Sequence, residues 1–156
     1  MSSDIEKVAE IDKADLTAIL ADVFAPWVQD LNITIDDVVH NGITTRMPAS
    51  AKLSRIGNIV SGQAMTAMAD TTMVLALAAK FGEFRPVATV DLSVSFMRAI
   101  NSSHVLCEAR VRRAGRSLAF VCAELRAADD PEVVAVANGT FAVPENGKRN
   151  AKLTVN

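Results

Sequence analysis

Between Ser61 and Gly82 the chain reads SGQAMTAMADTTMVLALAAKFG, with no proline and with alanine, methionine and leucine on every side of a helical wheel. Ser61 is placed to cap the start, and Gly82 follows Lys80 and Phe81 as a stop, so the spacing predicts one long helix. A helix that is apolar nearly all the way round has no solvent face of its own and must be wrapped by other structure. Whatever else the chain folds into therefore has to surround this segment.

The material for wrapping lies mostly downstream. Four extended runs follow, Arg85 to Met97, His104 to Arg113, Ser117 to Ala127 and Glu132 to Val143, with Ala114-Gly115 and Asp129-Asp130-Pro131 as tight connections between antiparallel strands. The first run alternates, with Ala88, Val90, Leu92, Val94 and Phe96 expected on one face and Thr89, Asp91, Ser93 and Ser95 on the other. Upstream, Lys13 to Leu31 carries Leu16, Ile19, Leu20, Val23, Phe24 and Trp27 at helical spacing, with Pro26 ending or kinking the helix. Residues 32–47 turn to β-branched side chains and read as a first strand, broken at Asn41-Gly42 by a turn or a bulge, and Pro48 to Asn58 reads as a linker. The expected architecture is α+β: a long central helix wrapped by an antiparallel sheet of five or more strands, with an N-terminal helix. A single domain over residues 13–143 would lie between tails at 1–12 and 144–156.

Composition narrows the function classes. Half of the 156 residues are hydrophobic and the mean hydropathy is +0.23, high enough to predict apolar surface covered by a partner, most simply another copy of the chain. Sixteen basic against eighteen acidic residues leave no basic field for nucleic acid. Two cysteines without CxxC spacing and two histidines, His40 and His104, offer no metal-ligand motif, and fit a reducing cytoplasm. The N-terminus is polar and acidic, unlike a secretory or transit segment. The apolar stretch Ala64 to Ala79, interrupted by Thr66, Asp70, Thr71 and Thr72, reads as too short and too polar to span a membrane. A cytoplasmic protein with no membrane partner is expected.

The chemistry centres on Asp70, the only ionisable side chain between Arg55 and Lys80. A carboxylate among Ala67, Met68, Ala69 and Met73 is poorly hydrated and needs a reason to be there. It either faces water, bonds a neighbouring hydroxyl such as Thr66, or works in a site. Gln63, Thr66 and Asp70 are three and four residues apart and form one polar stripe on the helix. The helix N-terminus at Gly62 and Gln63 adds unpaired N–H groups and the positive end of the dipole, an arrangement that stabilises an oxyanion. Eight residues separate Gly62 from Asp70, about 12 Å along a helix, too far for one carbonyl carbon to meet both. Two such helices antiparallel about a two-fold axis would bring the N-terminus of one beside the middle of the other. The site would then be shared and would occur twice per dimer.

These residues resemble the PaaI-like thioesterases of the hotdog fold, whose pattern His-Gly-Gly, six residues, then Asp on the central helix has the spacing of Ser61-Gly62-Gln63, Ala64 to Ala69 and Asp70. Val87 to Met97 and Arg113 to Phe120 look like a following strand and hairpin of that family, so the resemblance spans roughly residues 35 to 143. It implies an acyl-CoA thioesterase with Asp70 as general base or nucleophile, the Gly62 N–H polarising the thioester carbonyl from the other subunit, and Thr89 positioning the attacking water. It implies no cofactor beyond the coenzyme A of the substrate, and a homodimer or homotetramer. The chain departs from the pattern at Ser61 in place of histidine, at Gln63 in place of the second glycine, and at Arg55, or Asn58 with a gap, where the family carries Asn or Gln.

Around this centre, Ser61, Asn58, Arg55, Thr66 and Met73 are expected to contact substrate, with Met65 and Met68 in the core or the acyl pocket. Arg113 and Arg116 flank the Gly115 hairpin, where planar guanidinium groups suit the phosphates of CoA or serve as ordinary solvated charge, with Arg98 and Lys80 as lesser candidates. No G-x-S-x-G elbow argues for a serine hydrolase, and no Asp-x-x-x-x-His pair near the helix argues for a hydratase. The non-enzymatic alternative is an acyl-CoA-binding or regulatory module, favoured by the missing histidine.

Overall fold

The computed structural model describes residues 10–145, so the tails expected at 1–12 and 144–156 lie largely outside it. Helix α1 (Lys13–Val23) starts on a capping box in which the Asp12 carboxylate accepts from the Asp15 N–H and Asp15 returns the bond to the Asp12 N–H. The helical pattern expected to Leu31 breaks at Phe24 and Ala25, both extended, and a short helix α2 (Pro26–Gln29) follows with its proline in the first turn. Proline has no N–H to lose there and starts a helix as readily as it ends one.

Residues 32–47, expected as one strand, form two. β1 (Thr34–Val39) and β2 (Gly42–Pro48) pair antiparallel around Asn41, which takes φ 58°. Asparagine tolerates that left-handed geometry in tight hairpins. Beyond a 3₁₀ turn (Ala51–Leu53), the expected linker holds a miniature hairpin, β3 (Ser54–Arg55) and β4 (Ile59–Val60), turned by Gly57 and Asn58 at φ 87° and 55°.

The long helix is α3 (Gly62–Phe81), capped by the Ser61 hydroxyl accepting from the Ala64 N–H and closed by Gly82 in the left-handed region. After it come β5 (Ala88–Phe96), β6 (His104–Ala114), β7 (Leu118–Ala127) and β8 (Ala135–Ala142). The six long strands form one antiparallel sheet in the order β1-β2-β6-β7-β8-β5, with α3 on one face. Met65, Met68, Met73, Leu75 and Leu77 of α3 pack with Ile43, Met47, Val105, Val121, Leu125 and Phe141 of the sheet in the core. Gly139 on β8 permits the close approach: a Cβ there would lie 2.7 Å from Met73 Sδ and 2.8 Å from Phe141 Cε2.

At twenty residues, α3 is longer than the apolar stretch expected from sequence, and by length and composition alone it is enough to cross a membrane. Most of it is instead buried against the sheet. A buried pair of hydroxyls joins it to β2: Thr72 Oγ1 donates to the Met68 carbonyl at 2.7 Å and takes a 2.7 Å hydrogen bond from Thr45 Oγ1. Cys107, opposite Thr45 in the ladder, is fully buried, which pushes its thiol up to about 12 against the opposing hydrogen bond with Thr72.

Candidate active site

The least buried face of α3 carries Gly62, Gln63, Thr66, Ala67 and Asp70, and it looks into a cleft closed by Leu92 and Phe96 of β5 and by Trp27 of α2. The cleft holds about 600 Å³, within the ~300–1,000 Å³ of small-molecule sites. β5 runs antiparallel to α3, so Phe96 lies over the helix N-terminus while Thr89 reaches Asp70. The ring of Phe96 sits so close that a Cβ on Gly62 would be 3.3 Å from Phe96 Cζ. A side chain at 62 would press on that ring, which would have to give by a few tenths of an ångström.

Asp70 bonds Thr89, whose Oγ1 donates to Oδ1 at 3.1 Å. Thr66, the alternative local partner, donates instead to the Gly62 carbonyl at 2.8 Å, a turn back along the helix. Burial holds the Asp70 carboxyl above the usual aspartate range, and the Thr89 hydrogen bond pulls it partly back. Strict alternation along β5 would have put Thr89 on the face opposite Leu92. A bulge between Thr89 and Asp91 makes Val90 an extra residue, so that Thr89, Leu92, Val94 and Phe96 all face the helix.

At the other end of the cleft, the Ser61 cap satisfies the Ala64 N–H, and the Met65 N–H bonds the Ser61 carbonyl. Among the described residues, no acceptor meets the N–H of Gly62 or Gln63. These two donors and the helix dipole make an anion-stabilising terminus about 12 Å from Asp70.

The structure separates the remaining candidates. Arg55 joins Gly62, Met65, Phe96, Met97 and Arg98 around a second cleft, on the far side of Phe96. Asn58 is the left-handed corner of the β3–β4 turn, and Ser61 lies with Trp27, Lys52 and Gln63 in a third cleft. Met73 is fully buried against Gly139 and lines none of these, so it belongs to the core. Arg113 and Arg116 stand at the β6–β7 hairpin, away from the Asp70 cleft. Arg116 meets Arg85, Pro144 and Glu145 in a small cavity beyond the row Leu118–Ala142–Ala88, at the end of β5 that carries Thr89. Arg98 pairs with Glu132, and Lys80 bonds Asn41. His40 and His104 lie off the Asp70 cleft, His40 beside Lys80 and His104 bonded to Ser103. Trp27 and Leu92 are cleft residues that helical and strand periodicity had assigned to packing. Pro26 was the available signal for Trp27, because a new helix starting there takes the indole out of phase with the apolar stripe of α1.

Residues 57–134, which include all of α3, β5 and β6, match the sequence profile of the thioesterase superfamily. The chain belongs to the thioesterase superfamily. That membership supports thioester hydrolysis as its general chemistry and makes the wrapped helix a hotdog fold. A solved structure from Silicibacter sp. TM1040, described as a candidate thioesterase, is 32% identical, covers 86% of this chain and 92% of its own, and superposes with a TM-score of 0.77. A thioesterase from Haemophilus influenzae superposes with a TM-score of 0.80 over 92% of this chain and 98% of its own, at 19% identity, and so speaks for the fold alone. A candidate esterase of Thermoplasma acidophilum is 24% identical over 110 residues, which are 70% of this chain and 81% of that one.

Proposed function

We propose that the chain hydrolyses an acyl-CoA thioester to the free acid and CoA, as a homo-oligomer whose sites are completed across a two-fold axis. The observation that carries this reading is the placement of Asp70, a lone half-buried carboxylate facing an apolar cleft and steered by Thr89, on the same helix as two unpartnered N–H donors. In the proposed reaction Asp70 takes a proton from water as the water oxygen bonds the thioester carbon. The Gly62 and Gln63 N–H groups of the second protomer hold the charge that develops on the carbonyl oxygen. Collapse breaks the C–S bond, and the CoA thiolate leaves and takes up the proton. Direct attack by Asp70, with water then cleaving the anhydride, uses the same groups in the same places.

The distance between Gly62 and Asp70 supports a shared site, and so does β5. It is a sheet edge with Val90 and Phe96, and Met97 just beyond its end, each at least half exposed, an open strand suited to continue into that of a second copy. Arg116, with Arg113 nearby, offers the CoA phosphates a cationic end beyond Thr89.

Replacing Asp70 by Asn keeps the shape and removes the base. Release of free CoA from acyl-CoA is expected to fall by a factor of about 10²–10⁴ while the oligomer stays folded. Unchanged turnover would remove Asp70 from the mechanism. A non-catalytic acyl-CoA binder is the second reading, favoured by Ser61, whose hydroxyl stands in place of the family histidine and is used as a helix cap. Binding of a non-hydrolysable acyl-CoA by wild-type protein that releases no thiol from the thioester would decide for it.

A further inference from the structure

Trp27 is 62% exposed, yet the backbone that carries it is firmly held. Pro26 sets the start of α2, Val28 and Leu31 after the tryptophan are buried, and Gln29 Nε2 donates to the carbonyls of Leu20 and Ala21 at 2.6 and 2.9 Å, tying α2 to the end of α1. An indole presented to solvent on a pinned four-residue helix costs apolar exposure that packing alone would have removed. The indole divides two clefts. On one side are Ala67, Leu92, Phe96 and Asp70 in the cleft of about 600 Å³, and on the other are Leu31, Leu53, Lys52 and Ser61 in a cleft of about 350 Å³. Among the described residues, only Trp27 and Gln63 line both.

We propose that Trp27 is the wall against which the apolar acyl group of the thioester rests, and that it limits the length of that group. This rests on the acyl-CoA reading of the Asp70 site and deepens it. An acyl carbon held near Asp70 has its tail directed along a cleft whose apolar sides are Leu92, Phe96, Ala67 and the indole. The indole closes the route into the second cleft, so the preferred acyl group is short, and removing the wall joins the two spaces. A specificity role differs from a packing role because it discriminates between substrates, a difference in transition-state binding that chain length reads directly.

The chain has one tryptophan and no tyrosine, so its tryptophan emission reports this position alone. Wild-type protein titrated with non-hydrolysable acyl-CoA thioethers of increasing chain length is expected to show a saturable change in emission that CoA itself does not cause. With thioester substrates, Trp27→Ala is expected to lose about tenfold in kcat/KM on short acyl groups, through KM, and to gain about tenfold on long ones, while Trp27→Phe keeps the wild-type order. Emission that stays fixed while a thioether saturates the protein by calorimetry would overturn the proposal, as would a Trp27→Ala chain-length profile parallel to wild type. Emission that follows protein concentration but not ligand would place the indole under a second copy and overturn it equally. Emission is independent of turnover: thioether-dependent emission without thiol release sinks the hydrolase reading alone, and thiol release with fixed emission sinks the role of Trp27 alone.

Discussion

Asp70 carries two consequences of one environment. Burial raises its carboxyl above the ordinary value near ~3.9, with Thr89 opposing the rise. A base must be ionised to work, so turnover is expected to rise with pH through this elevated value. Thr89→Val, which removes the donor, should move the acid limb of the kcat/KM profile to still higher pH. The stability sign is the reverse. Between the unfolded and folded values the native state holds a proton that the unfolded chain has lost, so native stability falls as pH rises through that window. Asp70→Asn should therefore melt above wild type at neutral pH, with the gap closing as pH drops below the unfolded aspartate value, as thermal melts across pH would show. Asp70 stood out in the sequence because nothing ionisable lies near it. Thr89 entered only through the family resemblance, as a residue that positions water, and its bond to Asp70 was not legible because it spans nineteen residues and depends on the phase of a strand. Trp27 was hidden for a similar reason, since its helix phase restarts at Pro26. Arg113 and Arg116 were located correctly at a hairpin, but linear order could not say that the hairpin ends beside the start of β5.

Among the elements, α3 was almost fully legible. Ser61, the apolar run and Gly82 are local signals, and the structure uses each as a cap, a core face or a stop. The strands were legible in type but not in detail. The break at Asn41 became a hairpin, and the extra residue at Val90 reversed which side chains of β5 meet the helix before and after it. A bulge is decided by the partner strand, and Thr140 and Phe141 of β8, which pair there, lie about fifty residues on in sequence, so alternation read along β5 alone misses it. Contact between α3 and β8 depends on an empty position. Gly139→Ala should cost about 1–3 kcal/mol in denaturant unfolding, because Met73 Sδ and Phe141 occupy the space and Phe141 is fully buried. Thr72→Val should cost a comparable ~1–3 kcal/mol for a different reason: the Thr45 hydroxyl would be left buried without its acceptor.

At the scale of the whole molecule, the sheet ends at β5 on an open edge bordered by Val90, Phe96 and Met97. If that edge continues into a second copy, Val90→Lys should lower the sedimenting mass and abolish turnover together, because the Gly62 N–H donors would leave with the partner. Loss of the oligomer with turnover intact would mean that one chain holds a complete site. High hydropathy predicts a covered surface without saying where, and the strand order is what offers a candidate, since β5 follows α3 directly and yet lies at the sheet edge opposite β1.

The order of these elements along the chain also matters before folding is complete. α3 leaves the ribosome ahead of β6 and β7, which do much of its covering, so until β6 ends at Ala114, about thirty residues later, a twenty-residue apolar helix has chiefly the elements before it and β5 to lean on. By length and composition alone it meets the minimum for a membrane span. Asp70 sits near its centre, where a single aspartate adds roughly 2.5–3.5 kcal/mol to the cost of entering a bilayer. The carboxylate proposed to activate water thus also weighs against the bilayer as an alternative environment for this helix.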